Sequence, residues 1–212
     1  MSEAVLVPGA RDVRGTLDTP DGTTDSAGTD DADACVVACP PHPQLGGSRS
    51  DRRLTAVADG LTDGGIACLR FDYGSWDEGR GELRDAAGAL EWARDRYDPV
   101  ACFGYSFGGC LAFAAAADAS ELSAVSALAP AARVGDAVDA VPAVDDIDCP
   151  GQVLYGERDD TAEWRPVVER ARECGLSVTG VAADHHFVGR TERVASPVVS
   201  FLSDHLGPAR FD

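Results

Sequence analysis

The stretch Val100-Ala101-Cys102-Phe103-Gly104-Tyr105-Ser106-Phe107-Gly108-Gly109 decides how the chain is read. Four apolar residues (100–103) lead into a Gly-x-Ser-x-Gly turn at 104–108, and residues 107–117 beyond it are alanine-rich and helical in pattern. A strand that turns abruptly into a helix needs small residues where backbone meets backbone, and the glycines at 104 and 108 supply them. Such a turn holds its serine exposed above the edge of a sheet. It also points the next peptide N–H into the same space, at the positive end of a helix.

Working outward, the pattern repeats. Residues 4–7 and 13–17 suit two opening strands, and residues 18–33 form an acidic, turn-rich stretch that reads as an exposed loop. Short apolar runs at 34–38, 66–71, 100–103, 124–128, 152–155 and 176–181 alternate with helical stretches at 51–63, 81–97, 107–117, 161–174 and 192–205. Strand–helix–strand units of this kind imply an α/β fold with a mostly parallel central sheet and helices on both faces. Residues 1–212 read as one domain. In such sheets the ligand site lies beyond the carboxyl ends of the strands.

Residues of the required chemistry stand at those ends. A serine hydroxyl attacks only if a base takes its proton, and that base is usually a histidine oriented by a carboxylate. The run 152–155 is followed by Gly156-Glu157-Arg158-Asp159-Asp160, and 176–181 by Ala182-Ala183-Asp184-His185-His186-Phe187. The order serine, acid, histidine is the one expected for a fold that carries such a turn. Asp159 is favoured over its neighbour Asp160, whereas His185 and His186 compete for the base. An oxyanion needs two N–H donors. Phe107, next to the serine, offers one. The segment Cys39-Pro40-Pro41-His42-Pro43-Gln44-Leu45-Gly46-Gly47-Ser48 after the first apolar run offers the other, with Gln44 or Leu45 as the expected source because proline cannot donate.

Composition narrows the alternatives. None of the 18 basic residues is a lysine, which excludes a P-loop and a Schiff-base enzyme. The net charge of −18 argues against nucleic acid or an anionic membrane as partner. No run of 18 apolar residues occurs, and Met1-Ser2-Glu3 is not followed by a basic-then-apolar leader, so no spanning helix or secretory signal is expected. Seven cysteines without a Cys-x-x-Cys pair suit free thiols in a reducing cytoplasm. The lack of lysine and asparagine, with only two isoleucines and twice as many acids as bases, suggests a GC-rich, salt-loving source. Cys35, Cys39 and His42 make only a weak metal pattern, and no metal is expected.

From Ala34 to about Leu206 the chain resembles the alpha/beta-hydrolase superfamily, in particular small prokaryotic, here haloarchaeal-like, predicted hydrolases near the dienelactone-hydrolase-like branch. The resemblance rests on Pro41-His42-Pro43 with Gly46-Gly47, on Leu69-Arg70-Phe71-Asp72-Tyr73-Gly74, and on Gly79-Arg80-Gly81-Glu82. It continues through Gly104 to Gly109, Tyr155 to Asp160, and Asp184-His185-His186-Phe187. It implies an alpha/beta-hydrolase fold and a cytoplasmic, cofactor-free serine hydrolase acting on a carboxylic ester or related acyl bond of a small molecule. The nucleophile falls on Ser106, the acid on Asp159 and the base on His185, the histidine that follows Asp184. Dienelactone hydrolases carry cysteine where Ser106 stands, which argues against that activity. Pro40-Pro41 replaces a first His-Pro pair, and the loop 72–79 lacks the usual Arg-Gly.

Only 23 residues (129–151) separate two of the apolar runs, too few for a large lid. An open, shallow site bordered by Trp76 and Tyr105 is therefore expected. The rival readings are a non-catalytic binding protein on the same fold, and an acyltransferase or peptidase with the same triad. The oligomeric state is left open.

Overall fold

Residues 1–9, 11–21, 32–119 and 121–207 are described by a computed structural model of the chain. The strands are β1 (Ser2–Val7), β2 (Val13–Asp18), β3 (Cys35–Cys39), β4 (Ala67–Asp72), β5 (Val100–Tyr105), β6 (Val125–Leu128), β7 (Arg133–Val134), β8 (Val138–Asp139), β9 (Gly151–Gly156) and β10 (Ser177–Val181). The helices are α1 (Arg52–Asp63), α2 (Arg80–Arg94), α3 (Phe107–Asp118), the single turn α4 (Ala140–Ala143), α5 (Arg165–Glu173) and α6 (Thr191–Leu206). Most of the acidic loop expected at 18–33, residues 22–31, lies outside the described residues.

Among the described residues, eight strands form one sheet in the order β1-β2-β4-β3-β5-β6-β9-β10. β2 runs antiparallel to both its neighbours, and the pairs from β4 across to β10 are parallel. Side chains of a strand alternate between faces, and the two cores divide accordingly. Cys35, Val37 and Cys39 of β3 meet α2 and α3 on one face, while Val36 and Ala38 meet α1 and α6 on the other. Both faces are covered, which is why the central strands read as unbroken apolar runs.

Helix α1 shows how local sequence fixes an element. Asp51 caps it by accepting the peptide N–H of Arg53 at 2.9 Å, and Gly64 ends it. Leu54, Val57, Ala58 and Leu61 recur at helical spacing and are all buried against α6 and the sheet. Each of the larger three contributes about 1.5–3 kcal/mol by leaving water.

Between β6 and β9 the chain forms the β7–β8 ribbon, α4 and a short 3₁₀ turn. Val134, Val138, Ala140 and Val144 of this stretch are buried in the same core as α3, so it lies down on the body instead of projecting as a lid.

Candidate active site

The turn after β5 brings Ser106 to the carboxyl edge of the sheet. Ser106 has φ 56° and ψ −116°, a sparsely populated conformation for a residue with a side chain. Its surroundings hold it there. The Ser106 N–H donates to Leu128 O at the end of β6 (2.8 Å), and its carbonyl accepts from Gly109 N–H (2.9 Å) and Ala131 N–H (3.2 Å). The glycines fit the sequence argument. A Cβ on Gly104 would lie 2.0 Å from Gly108 O, and one on Gly108 would lie 2.2 Å from Cys39 O.

The loops after β9 and β10 are laced together. Glu157 N–H donates to Val181 O at 2.8 Å and Arg158 N–H to Ala183 O at 3.0 Å. This pairing sets Asp159 opposite His185. Asp159 Oδ2 lies 2.7 Å from His185 Nδ1, and His185 Nε2 lies 2.9 Å from Ser106 Oγ. Asp159 and His185 are buried, while Ser106 is partly exposed. Asp159 Oδ1 accepts the peptide N–H groups of Thr161 (2.9 Å) and Ala162 (3.0 Å). Burial pushes the Asp159 carboxyl up, but the bonds from His185, Ala162 and Thr161 outweigh it and leave the acid below its ordinary value.

An ionised carboxylate can only accept. His185 therefore donates from Nδ1, which leaves Nε2 as the ring atom that faces the Ser106 hydroxyl. The competing groups lie elsewhere. Asp160 is exposed. His186 is exposed, its N–H bound to Asp184 Oδ1 at 3.1 Å.

The expectation for Gln44 is corrected. Its N–H donates to His42 Nδ1 at 3.2 Å, and the N–H of Leu45 donates to His42 O at 3.0 Å, so both are spent on closing a 3₁₀ turn (Pro43–Leu45). The peptide N–H of His42 has no acceptor among the described residues. It is the first N–H after β3, because Pro40 and Pro41 have none, and that simple count was the signal available in the sequence. Phe107 opens α3, so its N–H has no intrahelical acceptor either.

Aromatic rings join the two segments. The His42 ring stacks on Trp76 at 4.8 Å and tilts against Phe107 at 4.8 Å. Burial lowers the basicity of His42, and the Glu82 carboxylate opposes that in part. The loop carrying Trp76 is fixed by buried carboxylates. Glu82 accepts the N–H groups of Asp77 and Gly79, each at 2.8 Å, and Asp85 accepts that of Gly74 at 2.9 Å. Arg11 pairs with both acids. Tyr73 donates to Pro40 O at 3.1 Å, tying this loop to the segment after β3. Trp76 thus borders the site as expected. Tyr105 does not: it is 2% exposed and lies behind His185. All seven cysteines are free, five of them buried, with Cys149 half-buried and Cys174 exposed.

No family model matches the sequence. A segment of 88 aligned residues is 39% identical to the quorum-quenching protein AidA of Acinetobacter baumannii (strain MDR-ZJ06), covering 35% of this chain and 29% of that protein, so the match spans under a third of its length. XC6422 of Xanthomonas campestris, described as an alpha/beta serine hydrolase without lid, superposes with a TM-score of 0.75 at 24% identity, covering 93% of this chain and 91% of that one. A dienelactone hydrolase of Anabaena variabilis superposes with a TM-score of 0.76 at 22% identity over 98% and 99% of the two chains. With this sheet order, and the strand–turn–helix around Ser106 at its centre, the chain has the alpha/beta-hydrolase fold, with no large lid among the described residues.

Proposed function

We propose that the protein is a serine hydrolase that cleaves a carboxylic ester or related acyl bond of a small molecule. One observation carries the reading: a single imidazole, that of His185, stands 2.9 Å from Ser106 Oγ on one side and 2.7 Å from Asp159 on the other. A partly exposed serine, an oriented base and an ionised acid together form a nucleophile that works at neutral pH.

In this reading Ser106 Oγ attacks the acyl carbon as its proton passes to His185 Nε2. The carbonyl electron pair moves to oxygen, which takes hydrogen bonds from the N–H groups of Phe107 and His42. The imidazolium, stabilised by Asp159, returns the proton to the leaving alkoxide, and an acyl-Ser106 ester remains. Water, deprotonated by His185, then attacks the acyl carbon, the bond to Ser106 Oγ breaks as that oxygen takes the proton back from His185, and the acid leaves. The unlidded edge and the His42–Trp76 stack beside Phe107 favour short or planar acyl esters over long lipid chains.

The test is labelling with a fluorophosphonate probe, followed by a panel of p-nitrophenyl esters of rising chain length. The wild-type protein should label and hydrolyse the short esters, and Ser106→Ala should lose several orders of magnitude in kcat with folding intact. A Ser106→Ala protein as active as wild type would end the proposal.

A further inference from the structure

Two groups that this reaction scheme does not use converge behind His185. Tyr105, the last residue of β5, donates its hydroxyl to His185 O at 3.0 Å, with its ring 5.5 Å from the imidazole. Arg53, in the first turn of α1, lays its guanidinium carbon 4.3 Å from the centre of the Tyr105 ring and donates from Nη1 to His186 O at 3.2 Å. Its Nη2 pairs with Asp51, the cap of the same helix. Arg53 Nε is buried and has no acceptor among the described residues. Buried donors are rarely left so. Here the guanidinium carbon lies over the phenol ring, a position that gains cation–π attraction in place of that bond.

The segment they grip is a tight turn, in which Phe187 N–H donates to Asp184 O at 3.4 Å and Arg190 N–H to Phe187 O at 2.9 Å. Asp184, His186, Val188 and Gly189 are exposed, and Phe187 is bent to φ 50°. Ala183 and Phe187 are buried on either side; of the three carbonyls between them, that of Asp184 accepts from Phe187 N–H, and those of His185 and His186 are held by Tyr105 and Arg53. Burial pushes the Tyr105 hydroxyl up to about 12 against the opposing Arg53 charge, so the phenol remains a donor throughout the neutral range.

We propose that Tyr105 and Arg53 are positioning residues for catalysis: by holding the successive carbonyls of His185 and His186 they keep the imidazole Nε2 in register with Ser106 Oγ. The inference rests on the triad reading above. It concerns kcat, because both groups act through the carbonyls of His185 and His186.

The experiment measures kcat and KM for a short p-nitrophenyl ester, the rate of fluorophosphonate labelling, and hydrogen exchange of residues 183–187. It compares wild type, Tyr105→Phe, Arg53→Lys, Arg53→Ala and the double variant Tyr105→Phe/Arg53→Ala. Small misplacements of a catalytic group cost up to about a hundredfold, so Tyr105→Phe and Arg53→Ala should each lower kcat and labelling by about tenfold or more. KM should stay within about twofold, and exchange of 183–187 should rise. Arg53→Lys, which keeps the charge and a donor, should recover part of the loss. The double variant should lose less than the product of the singles, because both act through one segment. A reactive wild type whose Tyr105→Phe variant keeps its kcat and its 183–187 protection overturns the inference alone. Losses that merely track a lower folded fraction do the same. A wild type that never labels overturns the triad reading and the inference with it.

Discussion

Gly108 and Cys39 touch backbone to backbone: a Cβ on Gly108 would lie 2.2 Å from the Cys39 carbonyl oxygen and 2.5 Å from that of Pro40. The first turn of α3 is therefore seated directly on the end of β3, and the two N–H groups read as oxyanion donors, those of Phe107 and His42, are set relative to each other by that contact. Gly108→Ala must push the segments apart. Overpacking of this kind costs about 1–3 kcal/mol, so the melting temperature should fall. The kcat should fall further than the loss of folded protein accounts for, because the donor spacing changes with the backbone. A Gly108→Ala protein with wild-type kcat per folded molecule would show that the spacing is not set here.

The role of His42 divides into a ring and a peptide N–H, and two substitutions separate them. His42 has φ −56°, close to the angle proline imposes. His42→Pro should therefore fit the backbone while deleting the N–H, whereas His42→Ala deletes the ring and keeps it. Both lose the cap on Gln44 N–H and the stack on Trp76. Only His42→Pro removes an oxyanion donor, and its kcat should fall about 10²–10³-fold below that of His42→Ala. Equal kcat values in the two variants would remove His42 N–H from the mechanism.

The acid limb of stability should carry the signature of Asp159. Its carboxyl is held below the ordinary value of 3.8 in the folded protein. A depressed acid contributes stability that is fully present above its unfolded value and is lost as pH falls through the folded one. In acid titrations monitored by circular dichroism, Asp159→Asn should thus show a shallower loss of stability below pH 3.8 than wild type. The same substitution offers His185 Nδ1 an amide in place of a carboxylate and favours the wrong tautomer, a change worth about 10⁴ in kcat for such triads. An unchanged acid limb would mean that the carboxylate is not the group whose bonds stabilise the loop.

What could be read from the sequence and what could not follows from the range of the forces involved. The turn at Ser106, the acid after β9 and the histidine after β10 stand at strand ends, and strand ends are marked locally by apolar runs stopping at glycine, acid or small residues. The choice between Asp159 and Asp160 follows the same local turn. Gln44 was misassigned because the turn Pro43–Leu45 closes on the side chain and carbonyl of its own neighbour His42, and nothing in the order of residues shows which N–H groups such a turn consumes. Tyr105, the neighbour of the serine, is expected at the rim of an open site. Strand alternation instead sends its side chain to the α1 and α6 face, under His185. Its partner Arg53 sits on α1, and only the crossover of α1 over that face brings the two together.

Salt should stabilise the fold. The chain carries 36 acidic and 18 basic residues, so it folds against its own net charge of −18. Molar KCl shortens the screening length to about 3 Å and relieves that repulsion. It also weakens exposed ion pairs such as Arg14–Asp12, but such pairs are worth only about 0–1 kcal/mol each, and with two acids for every base the relief outweighs the loss. The melting temperature at pH 7 should therefore rise with KCl. Repeating the series near pH 4.4, the isoelectric point of the sequence, separates charge screening from a general strengthening of apolar burial, since only the former disappears when the net charge does. A melting temperature that is flat or falls with KCl at pH 7, or one that rises equally at both pH values, would show that self-repulsion does not limit this fold.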